Sequence, residues 1–526
     1  MRADFSTSHQ LEGKEMASHA STLLDLLAAG QASAPAISAP GLTPLDYGNL
    51  RAFVHQMQGV LRSLGVAQGD RVAIVLPNGP EMAVAFLAVA SAATAAPLNP
   101  AYKAEEFEFY LTDLGAKLLI ALDGEASVSI EVARRLGVPV ALLTPTPEVG
   151  AGAFRLQAPG ASTLSAGAAA HTQADADAIA LVLHTSGTTS RPKIVPLSQR
   201  NICTSACNIR ETLMLAASDR ALNVMPLFHI HGLIAGLLAP LSAGGGVCCT
   251  PGFDALHFFR WMAEVCPTWY TAVPTMHQAI LARATKNLEV VRANPLRFIR
   301  SSSSALPTQV IRELEQTFGA PVIEAYGMTE AAHQMASNPL PPAIRKPGTV
   351  GRAAGPEVAI MDDTGNLLPA GATGEIVIRG ASVTSGYENN DKANAESFTH
   401  GWFRTGDQGV MDEDGYVSIT GRLKEIINRG GEKVSPREVD EVLMDHPAVR
   451  QVVTFAMPHD KLGEEVAAAV VLREGMSATE KDLREFVGRH LAAFKVPRKI
   501  VFLDEIPKGA TGKLQRIGLA QKLGLA

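Results

Sequence analysis

Cysteine is scarce in this chain. Cys203, Cys207, Cys248, Cys249 and Cys266 are the only five in 526 residues, and none shows the paired CxxC spacing of a zinc site. Cys203 and Cys207 are four apart on an expected helix, which makes at most half a metal site. Free thiols in this pattern read as small buried hydrophobes, and the usage fits a reducing cytosol. Positive charge is not in excess either. There are 46 Lys and Arg against 52 Asp and Glu, a formal net charge of -6. No basic run interrupts that balance, so nucleic acid is excluded as a partner. No uninterrupted apolar run is long enough to span a membrane. The longest, GLIAGLLAPLSAGGGVCC from Gly232, is broken by Pro240 and by Gly244 to Gly246. It reads as a buried helix, a turn and a strand. The first residues, MRADFSTSHQLEGKEMASH, hold no apolar core of signal-peptide length, so a cytoplasmic location is expected. The GxxxxGK[ST] spacing of the Walker A loop is missing as well.

What is present describes a globular protein of more than one domain. Hydrophobic residues make up 47% and charged residues 19%, and the length is too great for a single core. In the first half, helical and strand-like segments alternate. A helix is expected from Thr43 to Gly65, then a strand from Asp70 and a small-residue helix over GPEMAVAFLAVASAATAA. Apolar strands follow from Ala116 and Val138. Continuous apolar strands separated by helices imply a parallel sheet covered on both faces. Residues 150–176 are rich in Ala, Gly, Ser and Thr and read as a surface connection. Alternation then resumes from Ala178 to about Gly327. From Lys346 to Thr420, short alternating strands and turn pairs imply an antiparallel, barrel-like piece. The remainder suits a small α+β domain of about 100 residues. The expected fold is therefore α/β. A large N-terminal domain, residues 20–423, holds two parallel-type α/β subdomains and a β-barrel-like subdomain. A C-terminal α+β domain, residues 424–526, follows.

One loop carries chemistry. HTSGTTSRPK, His184 to Lys193, follows the apolar strand AIALVL and offers five hydroxyls, one glycine and the cations Arg191 and Lys193. Backbone N–H groups of a Gly-containing turn form an anion-binding concavity, to which hydroxyls add donors and lysine a point charge. Polyphosphate is the ligand such a loop suits; a Ser/Thr-rich surface turn is the alternative reading.

Four further motifs follow in order: YGMTE at Tyr326 to Glu330, WFRTGD at Trp402 to Asp407, GRLKEIINRGG from Gly421, and PKGATGK at Pro507 to Lys513. Together with TSGTTSRPK from Thr185, this set resembles the acyl-adenylate-forming superfamily, which includes acyl-CoA synthetases, luciferases and peptide-synthetase adenylation domains. The resemblance runs from about residue 45 to 517. It implies a ligase using ATP, Mg²⁺ and coenzyme A, with a small C-terminal domain that is mobile. A carboxylate attacks the α-phosphorus of ATP, and a thiol then displaces AMP. Bringing an anion against a polyanion demands charge neutralisation above all. The resemblance places Thr185, Ser186, Gly187, Thr188, Thr189 and Lys193 around the phosphates, and Thr329 on the α-phosphate. Glu330 would hold Mg²⁺, a hard cation suited to oxygen ligands. Ser303, Ser304, Glu324, Ala325 and Tyr326 would bind the nucleotide, with Tyr326 stacked on the adenine. Asp407 and Arg422 would take the ribose. Lys513 would bridge carboxylate and α-phosphate, Lys424 would be the hinge, and Gly430 and Gly431 would let the pantetheine arm of CoA approach closely.

The acid itself is read from three stretches. VMPLFHIHGLIAGLL carries His229 and His231, RSSSSALP carries Ser301 to Ser304, and EAYGMTEAAHQMASN adds His333. A fatty tail would leave such donors unpaired, at about 1–3 kcal/mol each, whereas a second carboxylate would pair them. His229, Ser302, Ser303 and His333 are the candidate acyl-site residues, and His231 reads either as one more or as a core histidine. These stretches, with Ser190 and Arg191 of the hydroxyl loop, resemble the oxalate-activating branch of the superfamily. Malonate or a short fatty acid is the nearest rival, since one methylene is worth only about 1–3 kcal/mol in a pocket. An adenylating enzyme serving a carrier protein and a non-catalytic nucleotide-binding relative are the other readings; the presence of Glu330 and Lys513 argues against the latter.

Overall fold

The computed structural model describes residues 20–124, 127–157, 175–185, 192–507 and 514–526. Two large sheets dominate. One has seven strands, in the order Phe154–Gln157, Val140–Pro145, Leu118–Leu122, Arg71–Val75, Thr94–Pro97, Ile179–His184, Ile194–Ser198. The other has nine. Its parallel centre runs from Val322–Met328 through Phe298–Ser301, Trp269–Ala272, Arg220–Asn223 and Gly246–Cys249 to Pro35–Ser38. Antiparallel strands close the edges of both sheets, among them Ile194–Ser198 and His333–Ser337.

The helices fill three layers around these sheets. Tyr47–Ser63, Pro80–Ala90, Gln199–Thr212 and the segment His231–Ser242 share one apolar core with strands of both sheets. Ala104–Leu114 and Val128–Arg135 cover the outer face of the first sheet. Phe258–Val265, Pro274–Ala284 and Thr308–Phe318 cover that of the second. The helix starts are written locally. Asp46 caps Tyr47–Ser63 by accepting from the Asn49 N–H at 2.7 Å. Ser198 and Asn201 form a reciprocal capping pair for Gln199–Thr212, satisfying donors that the first turn leaves orphaned.

Two segments differ from the sequence reading. The small-residue run after Gly79 is not one helix. It ends at Ala90, and Thr94–Pro97 turns into a buried strand between Arg71–Val75 and Ile179–His184. Small residues allow close packing in either geometry, so periodicity did not separate them. The expected connection over 150–176 begins with a strand, Phe154–Gln157, added to the sheet edge; residues 158–174 lie outside the described residues. The apolar run from Gly232 is buried as expected, but its first turns, His231–Leu238, are wound as a π-helix. Gly236 makes room there for Asn223, whose Oδ1 would lie 2.5 Å from an added Cβ. π-turns are rare and frequent at functional sites.

After Lys346 the chain builds the expected antiparallel sheet from Glu357–Met361, Thr373–Arg379, Trp402–Met411, Phe398–Thr399 and Val417–Arg422. Beyond it lies a further sheet of Glu432–Val434, Ile427–Arg429, Gly463–Leu472, Val449–His459 and Lys499–Phe502, flanked by the helices Pro436–Met444 and Glu480–Gly488. Its apolar clusters are its own. Hydrogen bonds and ion pairs join it to the preceding residues: Arg437 Nη1 to the Ile419 carbonyl at 2.7 Å, Gln451 Nε2 to Gln278 Oε1 at 3.0 Å, and Arg473 with Glu313 at 3.7 Å. No helix among the described residues is long and apolar enough to cross a membrane.

Four of the five thiols are buried, and only Cys266 is exposed. Burial pushes the Cys248 thiol up to about 12 and raises those of Cys203, Cys207 and Cys249. A thiolate is the reactive form. Ellman's reagent is therefore expected to titrate about one thiol of the five in native protein at pH 8, and all of them after denaturation.

Candidate active site

The hydroxyl loop joins two antiparallel strands. His184 pairs with Ile194, and the Thr185 N–H donates to the Lys193 carbonyl at 2.9 Å, closing the base of the loop. Ser186, Gly187, Thr188, Thr189, Ser190 and Arg191 lie outside the described residues, as does Lys513. Lys193 leaves the loop with its ammonium 4.2 Å from the ring centre of Tyr387. The Tyr387 hydroxyl donates to Glu330 Oε1 at 2.8 Å. The same Ser382–Glu388 stretch hydrogen-bonds to both sides: Thr384 N–H to the Glu330 carbonyl at 2.7 Å, and Glu388 N–H to the Ile194 carbonyl at 3.1 Å. Glu330, in the turn Thr329–Ala331, is only 6% exposed. Burial raises its carboxyl above the ordinary range, and the Tyr387 hydroxyl and Lys193 hold it back. Tyr387 was not singled out from the sequence; one aromatic among small residues carries no motif signal.

A second group lies at the junction with the antiparallel sheet. Tyr326 donates its hydroxyl to Asp407 Oδ2. Asp407 faces Arg422 across two paired strands, with Arg422 Nε 3.1 Å from Oδ1. Glu324 lies two residues before Tyr326, buried, with Oε2 accepting from the Gly348 N–H at 3.1 Å. Loss of hydration pushes it up to about 8. Ala325 offers its carbonyl to the Ser302 hydroxyl at 2.9 Å, so Ser302 ties neighbouring strands together. Ser304 is exposed.

A third group brings together Ser303 and His333, two of the four candidate acyl-site residues, with His231. His231 and His333 stack with ring centres 4.8 Å apart, 20° from parallel. Ser303 Oγ lies 3.1 Å from His231 Nδ1, and Thr271 Oγ1 lies 2.6 Å from its Nε2. Behind both rings sits Arg300, whose Nη1 is 3.4 Å from His231 Nε2 and 3.2 Å from His333 Nε2. Ser303 and His333 both have left-handed backbones, at φ of 72° and 100°. For side-chain-bearing residues this costs conformational energy and clusters at functional sites. Gly327 permits the His333 turn, since a Cβ there would lie 1.9 Å from the His333 carbonyl oxygen. Arg300, like Tyr387, was given no role from the sequence. The signal was a cation inside the otherwise apolar strand FIRS. His229 is placed elsewhere, in a cavity of about 50 Å³ that it lines with Pro97, Tyr102, Tyr110, His184 and Thr329. His184, half-buried there, meets Asp113 at 3.0 Å.

Lys424 lies exposed in the turn between Val417–Arg422 and Ile427–Arg429. Gly430 and Gly431 form a tight turn with φ of 60° and 98°. Their described hydrogen bonds, to the Leu462 carbonyl and Asn428 Oδ1, stay within the C-terminal sheet. Among the described residues no three His, Cys, Asp or Glu side chains converge as a metal cage. Glu330 alone fits Mg²⁺, which prefers one or two carboxylates together with phosphate oxygens.

This arrangement, a buried carboxylate linked through Tyr387 to Lys193 with a Tyr–Asp–Arg group alongside, suits a nucleotide-dependent acid-activating enzyme. The chain belongs to the AMP-binding enzyme family. The family model matches residues 25–388, and that of the AMP-binding enzyme C-terminal domain matches residues 438–513. A probable CoA ligase of Humulus lupulus is 47% identical over 94% of each chain. An oxalate–CoA ligase of Arabidopsis thaliana is 46% identical over 92% of this chain and 95% of its own. Among solved structures, ATP-bound MatB from Rhodopseudomonas palustris superimposes with a TM-score of 0.85 at 30% identity, covering 95% of this chain and 98% of its own.

Two outcomes follow from the buried carboxylates. Y387F removes a hydrogen bond to the Glu330 carboxylate, a charge-assisted type worth about 1.5–3 kcal/mol. Protonated Glu330 is then favoured to higher pH. The acid limb of kcat/KM for ATP should move up by about one pH unit, with the alkaline plateau retained. Glu324 is raised from 4.5 to about 8. Its neutral form is the folded form, so its stabilising contribution is complete below about pH 4.5 and lost as pH rises through 8. E324Q removes that loss. Its Tm, measured without nucleotide, should exceed the wild type's at pH 8.5 and match it near pH 5.

Proposed function

We propose that this enzyme ligates oxalate to coenzyme A, consuming ATP and releasing AMP and diphosphate through an oxalyl adenylate. The carrying observation is the acyl-end cluster: two imidazoles, Ser303 and a buried guanidinium where a hydrocarbon tail would need apolar walls. The identity to oxalate–CoA ligases supports it, at 46% for the Arabidopsis enzyme and 43% for that of Saccharomyces cerevisiae.

In the first half-reaction a carboxylate oxygen of oxalate attacks the α-phosphorus, and diphosphate leaves with the bridging electron pair. Lys193, with the loop hydroxyls of Ser186, Thr188 and Thr189, neutralises the departing phosphates. Thr185 anchors the loop base, and Thr329 donates to the α-phosphate. Glu330 would hold Mg²⁺, which would supply charge neutralisation when bound. Asp407 and Arg422 fix the ribose, with Tyr326 against the adenine and setting Asp407 by its hydroxyl. Lys513 bridges carboxylate and α-phosphate. In the second half-reaction the CoA thiol, as thiolate, attacks the acyl carbon and AMP departs. The division at residues 423 and 424, with Lys424 as the pivot, lets Gly430 and Gly431 approach the acyl site for that step. His229 guards the entrance, while Ser303 and His333 face the distal carboxylate.

A panel of acids in a diphosphate-release assay with ATP, Mg²⁺ and CoA tests this reading. Oxalate should exceed octanoate and cinnamate in kcat/KM by at least about 100-fold, given three or more donors left unpaired by a tail. Malonate should rank second. Equal or better use of a medium-chain acid would overturn the assignment.

A further inference from the structure

Arg300 stands apart from the other buried cations. It has no exposed surface, 0%. Arg404 pairs with Glu375 at 2.7 Å and Arg516 with Asp440 at 2.6 Å. Arg300 has no carboxylate partner among the described residues. Its contacts are His231, His333, Thr271 Oγ1 at 3.5 Å, and Gln334 Oε1 at 3.3 Å from Nη2. Among the described residues its Nε has no hydrogen-bond partner. Burial alone pulls it down to about 9, with no acid to offset the loss of hydration. A buried cation without an anion is a costly arrangement that few proteins retain.

The contacts lead outward from the guanidinium. A guanidinium only donates, and Nη1 faces Nε2 of both His231 and His333. On its other side His231 Nδ1 lies 3.1 Å from Ser303 Oγ. Ser303 is only half-buried, whereas Arg300 and His231 are closed off behind it.

We propose that Arg300 is a specificity-determining, positioning residue that selects acids bearing a second negative charge. The missing counter-charge is the distal carboxylate of the substrate, held through Ser303, His231 and His333. This rests on the dicarboxylate reading above. It is separable from it, because an oxalate enzyme could recognise its substrate through the hydroxyl groups alone.

The test compares oxalate and acetate as substrates of wild type, R300Q and R300K. R300Q is expected to lower kcat/KM for oxalate by about 100-fold, chiefly through KM. The loss on acetate should be at least about 10-fold smaller, so the oxalate-to-acetate ratio collapses, while KM for ATP stays within about twofold. R300K keeps the charge on one ammonium but cannot serve both rings in the same plane. Its loss on oxalate should be about 10-fold and again exceed that on acetate. R300K carries the comparison alone if R300Q does not fold. An equal loss on both acids would mark Arg300 as merely structural, and an unchanged ratio would show that its charge is not read; either result overturns the proposal. A wild-type enzyme that prefers acetate would instead defeat the substrate assignment itself.

Discussion

The structure depends on a carboxylate kept out of water. Glu330 sits where three lobes meet, and each lobe secures it differently. The antiparallel hairpin of the first sheet sends Lys193 towards it through the Tyr387 ring. The Ser382–Glu388 stretch supplies a phenol to the side chain and an amide to the backbone. The second sheet delivers the turn that carries it. Without these partners a buried carboxylate would protonate. The Tyr387 hydroxyl and the Lys193 charge both favour its ionised form, the form that serves as an oxygen ligand.

The Arg300 cluster uses the opposite strategy. There a cation is buried with no carboxylate partner among the described residues. Both choices would suit a reaction between anions. The enzyme must gather positive charge where two negative reactants approach, and it must do so before they arrive. Left-handed backbones at Ser303 and His333 place the donors in advance of binding. Their conformational cost is offset by the π-turn, the Gly327 contact and the strand hydrogen bonds around them.

Much of this was legible in the sequence because motifs report backbone position. Thr185, Lys193, Tyr326, Glu330, Asp407 and Arg422 each fall in a short stretch whose order along the chain resembles one superfamily; Tyr387 joins Lys193 to Glu330, and Asp407 joins Tyr326 to Arg422. The alternation of apolar strands and helices likewise marked the two parallel sheets. What could not be read was anything made by long-range contact. Tyr387 reaches Glu330 across 57 residues of chain, and Arg300 reaches His231 across 69; neither neighbourhood is encoded locally. His229 was read as an acyl-site residue and His231 as one more or a core histidine, yet His231 is the one that stacks on His333, while His229 lines a separate cavity. The strand Thr94–Pro97 was hidden for a different reason: alanine fits helix and strand alike, and only pairing decides.

The junction before the C-terminal sheet has one more consequence. Its apolar clusters end on either side, and the described contacts that cross it include hydrogen bonds and the Arg473–Glu313 ion pair. Water can replace each of these at about 1 kcal/mol or less. Parting the two pieces would expose little hydrocarbon and so carry little change in heat capacity, and dissolved salt would screen the ion pair that spans them.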